Sequence, residues 1–200
     1  MAASTILVDV VFPRLTLARN ALLVVAGSVL VALCAQVSLS LPFTPVPVTG
    51  QTFAVLLIGA TFGARRGAAA LLVYLAEGAA GLPVFSPGGA PGFARLLGPT
   101  AGYLFAFPAA AFLVGWLLER LPQPPALWNW ARWFVAALAA ETLILASGTA
   151  WLKVVLDVSW GTALSQGALP FLPGEVFKAL LVTAVLPASL WAARRRSAGA

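Results

Sequence analysis

VTGQTFAVLLIGATFGARRGAAALLVYLAEGAAGLPV, residues 48–84, is the stretch that decides the fold. Two apolar runs, 48–63 and 67–84, flank the adjacent Arg65 and Arg66. Each run is shorter than the roughly 20 residues that a membrane-spanning helix needs. We therefore expect either spans with unusual tilt or spans whose outer ends are unwound and shielded by protein, since free backbone groups are not tolerated in lipid.

The composition of the whole chain agrees with a membrane location. Of 200 residues, 61% are hydrophobic and 9% are charged, and the mean hydropathy is +0.97. A soluble domain has about 25% charged residues. The net charge of +6 does not predict nucleic-acid binding, because the basic residues separate apolar segments instead of clustering on a water-facing surface. We expect most of the surface to contact membrane lipid.

Working outward from residues 48–84, hydropathy predicts an all-α, polytopic membrane protein with six transmembrane helices. We expect one integral membrane domain over residues 1–200, with a short interfacial segment at 1–16 that is broken at Pro13. A bundle at about 17–193 and a basic cytoplasmic tail at 194–200 complete it. The predicted spans are about 19–41, 48–63, 67–84, 99–118, 132–156 and 173–193.

The basic residues predict the orientation of these spans. Alternation from a cytoplasmic N-terminus places nine of the twelve on one side, which the positive-inside rule makes the cytoplasm. Both termini would then be cytoplasmic. The nine are Arg14, Arg19, Arg65, Arg66, Arg120, Arg132, Arg194, Arg195 and Arg196.

The other three basic residues, Arg95, Lys153 and Lys178, fall toward the outside. Charges in or near spans are costly, and they usually pair or line a cavity. Asp157 and Glu175 fall in the same outer layer, so we expect a polar binding site there.

The segment PGEVFKA, residues 173–179, opens the last span and places Glu175 and Lys178 at positions i and i+3. The spacing is equally compatible with a mutually neutralising interfacial pair and with a cavity that offers an acceptor and a donor to a polar ligand.

Two outer loops are candidates for the cover of such a site. The segment Pro42 to Pro47 holds three prolines and cannot form regular helix, so it is either a stiff connector or a lid with Gln51 and Thr52 as polar contacts. The second loop, 81–93, is rich in Gly and Pro. After it, Arg95 either snorkels to the interface or offers its guanidinium to a carboxylate.

Other types of chemistry have little support. The chain has no His, and its single cysteine, Cys34, excludes an intrachain disulfide. We expect no metal. Glu77 and Glu141 lie inside spans without a basic residue at i±3 or i±4, and an intramembrane enzyme using either one as general acid or base is a disfavoured alternative.

Several motifs together resemble one known family. TPVPVTGQTFAVLLIGATFGARRGAAALLVYLAEGAAGLPVF (44–85), GPTAGYL (98–104) and PGEVFKA (173–179) are similar, in this order, to the BioY family, the biotin-specific S components of energy-coupling factor (ECF) transporters. The resemblance implies an ECF S-component-like bundle in the cytoplasmic membrane. It would capture biotin and deliver it with a T component and two ABC-type ATPase subunits that use ATP. This chain would bind no cofactor itself, since it lacks the GxxxxGK[ST] phosphate loop.

The resemblance also implies site residues. Glu175, at a position where the family commonly has Asp, would accept a ureido N–H of biotin, and Lys178 would donate to the ureido carbonyl. Arg95 would meet the carboxylate, unless the ligand is reversed and Lys178 takes it. The residues expected to complete the pocket are Gln51, Phe85, Ser86 and Tyr103.

The first span has small residues three, four or seven positions apart, which is typical of close helix packing. Spacing alone leaves open whether the partner is internal or another subunit. With the resemblance, we predict that the T component docks on Ala21, Ser28 and Ala32. An S component for another vitamin, or a biotin carrier that works without the ATPase module, are the alternative functions.

Overall fold

The computed structural model describes residues 6–12, 16–121 and 129–198, with side chains described except at 129 and 187–198. Helices dominate this part of the chain, and one two-stranded hairpin interrupts them. The elements are α1 (Leu7–Val11), α2 (Leu17–Gln36), β1 (Ser38–Leu39), β2 (Val48–Thr49), α3 (Gln51–Phe62), α4 (Ala64–Ala79), a 3-10 helix (Gly92–Leu97), α5 (Ala101–Arg120), α6 (Asn129–Val155), α7 (Trp160–Gly167) and α8 (Leu172–Ala198).

Each of the six predicted spans corresponds to a helix, which confirms the six-helix prediction in outline. Among the described residues, α2, α5 and α6 are individually long and apolar enough to cross a membrane. The pair α7 and α8, bent by 45° at its break, passes the same test as one span. The two helices of the stretch 48–84 are shorter, with 12 residues in α3 and 16 in α4.

Several helix ends differ from the predicted ones. The first long helix ends at Gln36 instead of 41, because the chain becomes extended there and Ser38 and Leu39 pair with Thr49 and Val48. The last helix continues to Ala198, so most of the predicted tail at 194–200 extends α8. Pro13, the predicted break of the N-terminal segment, lies outside the described residues.

Gly63 joins α3 to α4 without any longer loop. Its φ of +84° is accessible to glycine at little cost, and this conformation turns the chain sharply. The Oε1 oxygen of Glu119 accepts a hydrogen bond from the N–H of Ala64 (2.9 Å), which satisfies one free donor at the start of α4. Nearby, Arg66 forms an ion pair with Asp9 of α1 (2.6 Å). We call this side of the bundle the arginine end.

The core lies around α5, which packs against α3, α4 and α6. Small residues permit close approach between these helices, as is usual in membranes. At Gly102, a Cβ atom would clash with Trp151 of α6, and Ser147 of α6 donates to the carbonyl of Gly102 (2.9 Å). The backbones of α5 and α6 therefore approach closely at Gly102.

The opposite side of the bundle, which we call the loop end, consists of residues 38–50, 80–100 and 156–172. The proline-rich loop is attached there, because Thr44 donates to the carbonyl of Gln166 (2.7 Å) and accepts from the N–H of Val46 (3.1 Å). The loop is therefore held against the end of α7 and covers the space between the helices below it.

Candidate functional site

A cavity opens at the loop end between α3, α5, α6 and the start of α8. The empty space between its lining side chains amounts to about 540 Å³, part of it open to solvent. Eight of its sixteen lining residues are apolar and the other eight carry a polar group, so the wall combines apolar surface with polar contacts, as small-molecule sites do. The apolar part consists of Val46, Pro47, Phe85, Leu104, Phe107, Ile144, Leu145 and Phe171.

The structure brings the predicted site residues together. Six of the seven line this cavity, and they come from α3, the loop after α4, the 3-10 helix, α5 and α8. The six are Gln51, Phe85, Ser86, Arg95, Tyr103 and Glu175. The seventh, Lys178, does not line the cavity but contacts Glu175 directly.

One polar group of the site is a buried triangle of Glu175, Lys178 and Thr52. The ammonium of Lys178 donates to Oε1 of Glu175 (2.9 Å) and to Oγ1 of Thr52 (2.8 Å). The Thr52 hydroxyl in turn donates to Oε2 of Glu175 (2.7 Å). Breaking such a buried pair by removing one partner leaves a costly charge behind. The sequence was compatible with a mutually neutralising pair and with a cavity that offers polar groups to a ligand. The structure has features of both, because Glu175 pairs with Lys178 and also faces the cavity.

Arg95 forms the second polar group, on the wall made by the 3-10 helix. Its Nη2 donates to the carbonyl of Ser86 (2.8 Å) and to the Ser86 hydroxyl (2.5 Å). The side chain is buried, so the snorkelling alternative is wrong. Burial lowers the pKa of the Arg95 guanidinium, which nevertheless remains charged at neutral pH because its ordinary value is so high.

Among the described residues, Arg95 forms no ion pair with a carboxylate, and its Nε atom has no hydrogen-bond partner. A buried guanidinium in this condition is suited to a planar anion such as a carboxylate. The cavity therefore has a cationic group at the Arg95 wall and a mixed-charge group at the Glu175 wall.

Hydrogen bonds and ring contacts of aromatic and amide side chains connect the elements between these two walls. Gln51 donates from Nε2 to the Tyr74 hydroxyl (2.6 Å), which donates to the carbonyl of Val84 (3.2 Å). The rings of Tyr74 and Phe85 meet edge to face, with centroids 5.5 Å apart. Tyr103 donates from its hydroxyl to the carbonyl of Gly167 (2.6 Å).

Two groups were missed or undervalued at the level of sequence. Tyr74 carried no signal beyond its place in an apolar helix, yet it orients Gln51. Glu141 was disfavoured as a functional residue, yet its carboxyl lies beside Glu175, Lys178 and Thr52. The available signal was its isolation, since a carboxyl in a span with no basic neighbour on its own helix needs a partner on another helix.

Other charged residues stay apart from the cavity. Lys153 is half-buried and Asp157 is exposed, and neither lines it, so the predicted outer layer is only partly assembled into one site. Glu77 accepts a hydrogen bond from Ser28 of α2 (3.0 Å). Among the described residues, no group of His, Cys, Asp and Glu side chains has the arrangement that a metal ion needs.

A family comparison covers nearly the whole chain and includes every residue of this cavity. Residues 5–196 match the model of the BioY family. The chain belongs to the BioY family. This confirms the resemblance carried by the three motifs and excludes the alternative of an intramembrane enzyme.

Individual relatives agree with this assignment. The biotin transporter BioY2 of Lactococcus lactis subsp. cremoris is 39% identical over 163 residues, which cover 80% of this chain and 84% of the relative. The biotin transporter BioY of Rhizobium etli is also 39% identical, over 78% of this chain and 83% of the relative. A crystal structure of the S-component for biotin from an ECF-type ABC transporter is similar with a TM-score of 0.76 and 25% identity, and the match covers 92% of this chain and 95% of that one.

The predicted docking residues of this BioY family member do not share one environment. Ala21 is exposed on α2 and Ala32 is half-buried. Ser28 is fully buried and bonds to Glu77 and to the carbonyl of Val25, so its assignment to an external docking surface is corrected. Its small side chain serves packing between α2 and α4.

Proposed function

We propose that this chain captures biotin in the loop-end cavity and takes part in its uptake as the S component of an ECF transporter. One observation carries the proposal: one cavity has Glu175 and Thr52 on one wall, both hydrogen-bonded to Lys178. On another wall it has the charged Arg95, which forms no ion pair with a carboxylate among the described residues. Biotin has the matching chemistry, with a polar ureido ring, an apolar thiophane ring and a valerate tail that ends in a carboxylate.

Each part of the ligand then has a partner. Glu175 accepts a ureido N–H, and Lys178 turns an N–H toward the ureido carbonyl. Phe85, Tyr103 and the aliphatic wall cover the rings. Arg95 and Ser86 bind the carboxylate, and Gln51 completes the polar contacts. The reversed orientation, with the carboxylate at Lys178, is the competing arrangement, and it makes a different prediction for Arg95 variants.

The loop end faces outward in this proposal and the arginine end faces the cytoplasm. The distribution of basic residues supports this orientation through the positive-inside rule, and in this orientation both termini would lie on the cytoplasmic side of the membrane. The chain offers a cavity for a ligand, and its sequence contains no GxxxxGK[ST] phosphate loop. A membrane-embedded T component and two ABC-type ATPase subunits that use ATP would therefore supply the energy.

The exposed side of α2 is the surface we assign to the T component. Only 17% of the apolar part of α2 is buried against the rest of the described chain, compared with 61% of the apolar part of α5. Ala21 lies on this exposed side, together with larger residues that contact either lipid or the partner. These are Leu22, Val25, Val29 and Leu33.

Calorimetric titration of the detergent-purified, ligand-free chain with biotin tests the binding step. We expect one biotin per chain, and no heat with thiamine or riboflavin as control vitamins. Thiamine carries a positive charge that Arg95 would repel. Binding of a control vitamin in place of biotin would support an S component for another substrate. Uptake by cells that express the chain with and without its partner subunits separates an ECF component from a carrier that works alone.

A further inference from the structure

The carboxyl group of Glu141 is buried next to the ligand-free site. It lies in the middle of α6 with 2% of its surface exposed. Neither carboxyl oxygen has a hydrogen-bond partner of good geometry among the described residues. A buried carboxyl without partners costs free energy, and such groups in spans usually serve a function.

Glu141 lies close to the triangle of Glu175, Lys178 and Thr52. Its carboxyl faces Glu175 and Lys178 of α8 and Thr52 of α3, in the interior where these helices meet α6. It does not line the cavity itself, which is bounded on this helix by Ile144 and Leu145. One ammonium therefore lies among two carboxyl groups, only one of which it contacts in the ligand-free structure.

We propose that Glu141 is a positioning residue that becomes a partner of Lys178 when a ligand engages Glu175. The proposal rests on the proposed biotin-binding function. It assigns Glu141 a role that acts through Lys178 and not through contact with the ligand.

The donors and acceptors of the cluster support this exchange. Lys178 has three N–H donors, and it uses two of them in the ligand-free structure, on Thr52 and Glu175. With biotin bound, Glu175 accepts from the Thr52 hydroxyl and from a ureido N–H. Lys178 then donates to Thr52, to the ureido carbonyl and to Glu141. Every polar group of the cluster has a partner in that state, including the Glu141 carboxyl, which has no hydrogen bond of good geometry among the described residues beforehand.

The substitution Glu141→Gln tests the proposal because it keeps the shape and replaces the carboxyl group by an amide that cannot carry a negative charge. We expect biotin affinity, measured by calorimetry, to fall about 10- to 100-fold, the range typical for a hydrogen bond to a charged group. The unfolding temperature of the ligand-free chain should not fall, because the carboxyl has no hydrogen bond of good geometry to lose among the described residues. Glu141→Asp should recover part of the affinity. Thr142→Val, at the exposed neighbouring position, is the matched control and should change neither quantity.

The outcomes separate this proposal from the proposed function. Wild-type binding together with unchanged affinity in Glu141→Gln overturns the positioning role alone. A parallel loss of ligand-free stability and affinity overturns it as well, because that result describes ordinary core packing. If the folded wild-type chain does not bind biotin, the proposed function fails and the inference fails with it.

Discussion

The ammonium of Lys178 lies 2.9 Å from the Oε1 oxygen of Glu175, three residues earlier on α8, and both groups are held by the hydroxyl of Thr52. The helical spacing brings the two charges together, and the packing of α3 against α8 supplies the third partner. The pair is almost fully removed from solvent, so each charge depends on the other for compensation.

Replacing Lys178 by Ala should weaken biotin binding strongly. The change removes a donor to the ligand and leaves Glu175 without its buried counter-charge, at a cost of about 2 to 5 kcal/mol. This corresponds to roughly 30-fold to several thousand-fold in Kd, measured by calorimetric titration. Leu180→Ala, at a lipid-exposed position of the same helix, should bind like the wild type. Wild-type affinity in Lys178→Ala would refute the site.

Arg95→Gln should distinguish the two orientations of the ligand. If Arg95 binds the valerate carboxylate, the variant should lose at least about tenfold in affinity for biotin, the size of one charge-assisted hydrogen bond. Its affinity for biotin methyl ester should change little, because the ester offers no charge to the guanidinium. Equal losses for both ligands would favour the reversed orientation or a purely structural role of the Arg95–Ser86 contacts.

Thr52→Val tests the third member of the triangle. Valine has the shape of threonine but cannot donate to Glu175 or accept from Lys178, so two buried hydrogen bonds are lost. We expect about a tenfold or greater loss of biotin affinity. Thr52→Ser, which keeps the hydroxyl, should remain close to the wild type. If Val and Ser variants bind alike, the hydroxyl has no part in recognition.

Tyr103→Phe should lower stability. The lost hydroxyl donates to the carbonyl of Gly167 and joins α5 to the end of α7. We expect a decrease of about 0.5 to 1.5 kcal/mol in the free energy of unfolding, and more if the carbonyl stays unpaired. Thermal unfolding of the ligand-free chain in detergent measures the decrease. No change in unfolding temperature would show that the hydrogen bond contributes nothing net.

Ala21→Leu should impair uptake and leave biotin binding intact, because the added bulk lies on the exposed side of α2 that we assign to the T component. Uptake of labelled biotin with all partner subunits present measures the first effect, and calorimetry the second. Ala146→Leu places the same bulk on an exposed position of α6 and is the matched control. Similar uptake by both variants would show that the T component does not dock on the exposed side of α2 at Ala21.

Much of the fold follows from local properties of the chain. The apolar runs that flank Arg65 and Arg66 predict two helices with a break between them. The structure has the break at Gly63, and both arginines lie in the first turn of α4. The prolines between 42 and 47 predict a loop without helix, as observed. Helix ends were less predictable: Val37 to Leu39 are as apolar as the helix before them, but their backbone pairs with a strand ten residues later.

The candidate site was only partly visible in the sequence. The spacing of Glu175 and Lys178 predicts their contact, because it depends on one helix alone. Thr52 and Glu141 belong to other helices, and no local pattern connects them to α8. Ser28 shows the opposite error, since its spacing with Ala21 and Ala32 places it on one face of α2, but only packing against α4 decides that it is buried.

The sequence by itself determined that this chain lies in a membrane, which segments are helical, where the loops fall, and which family it belongs to. Those properties depend on hydropathy, on backbone propensity and on motifs that are contiguous along the chain. Only the tertiary structure decided that Arg95 is buried with no carboxylate partner in the described part of the chain, that six predicted residues share one cavity, and that Glu141 lies beside the Glu175–Lys178 pair. Electrostatic interactions depend on distance through space, and in a helical bundle the nearest charge usually belongs to another helix.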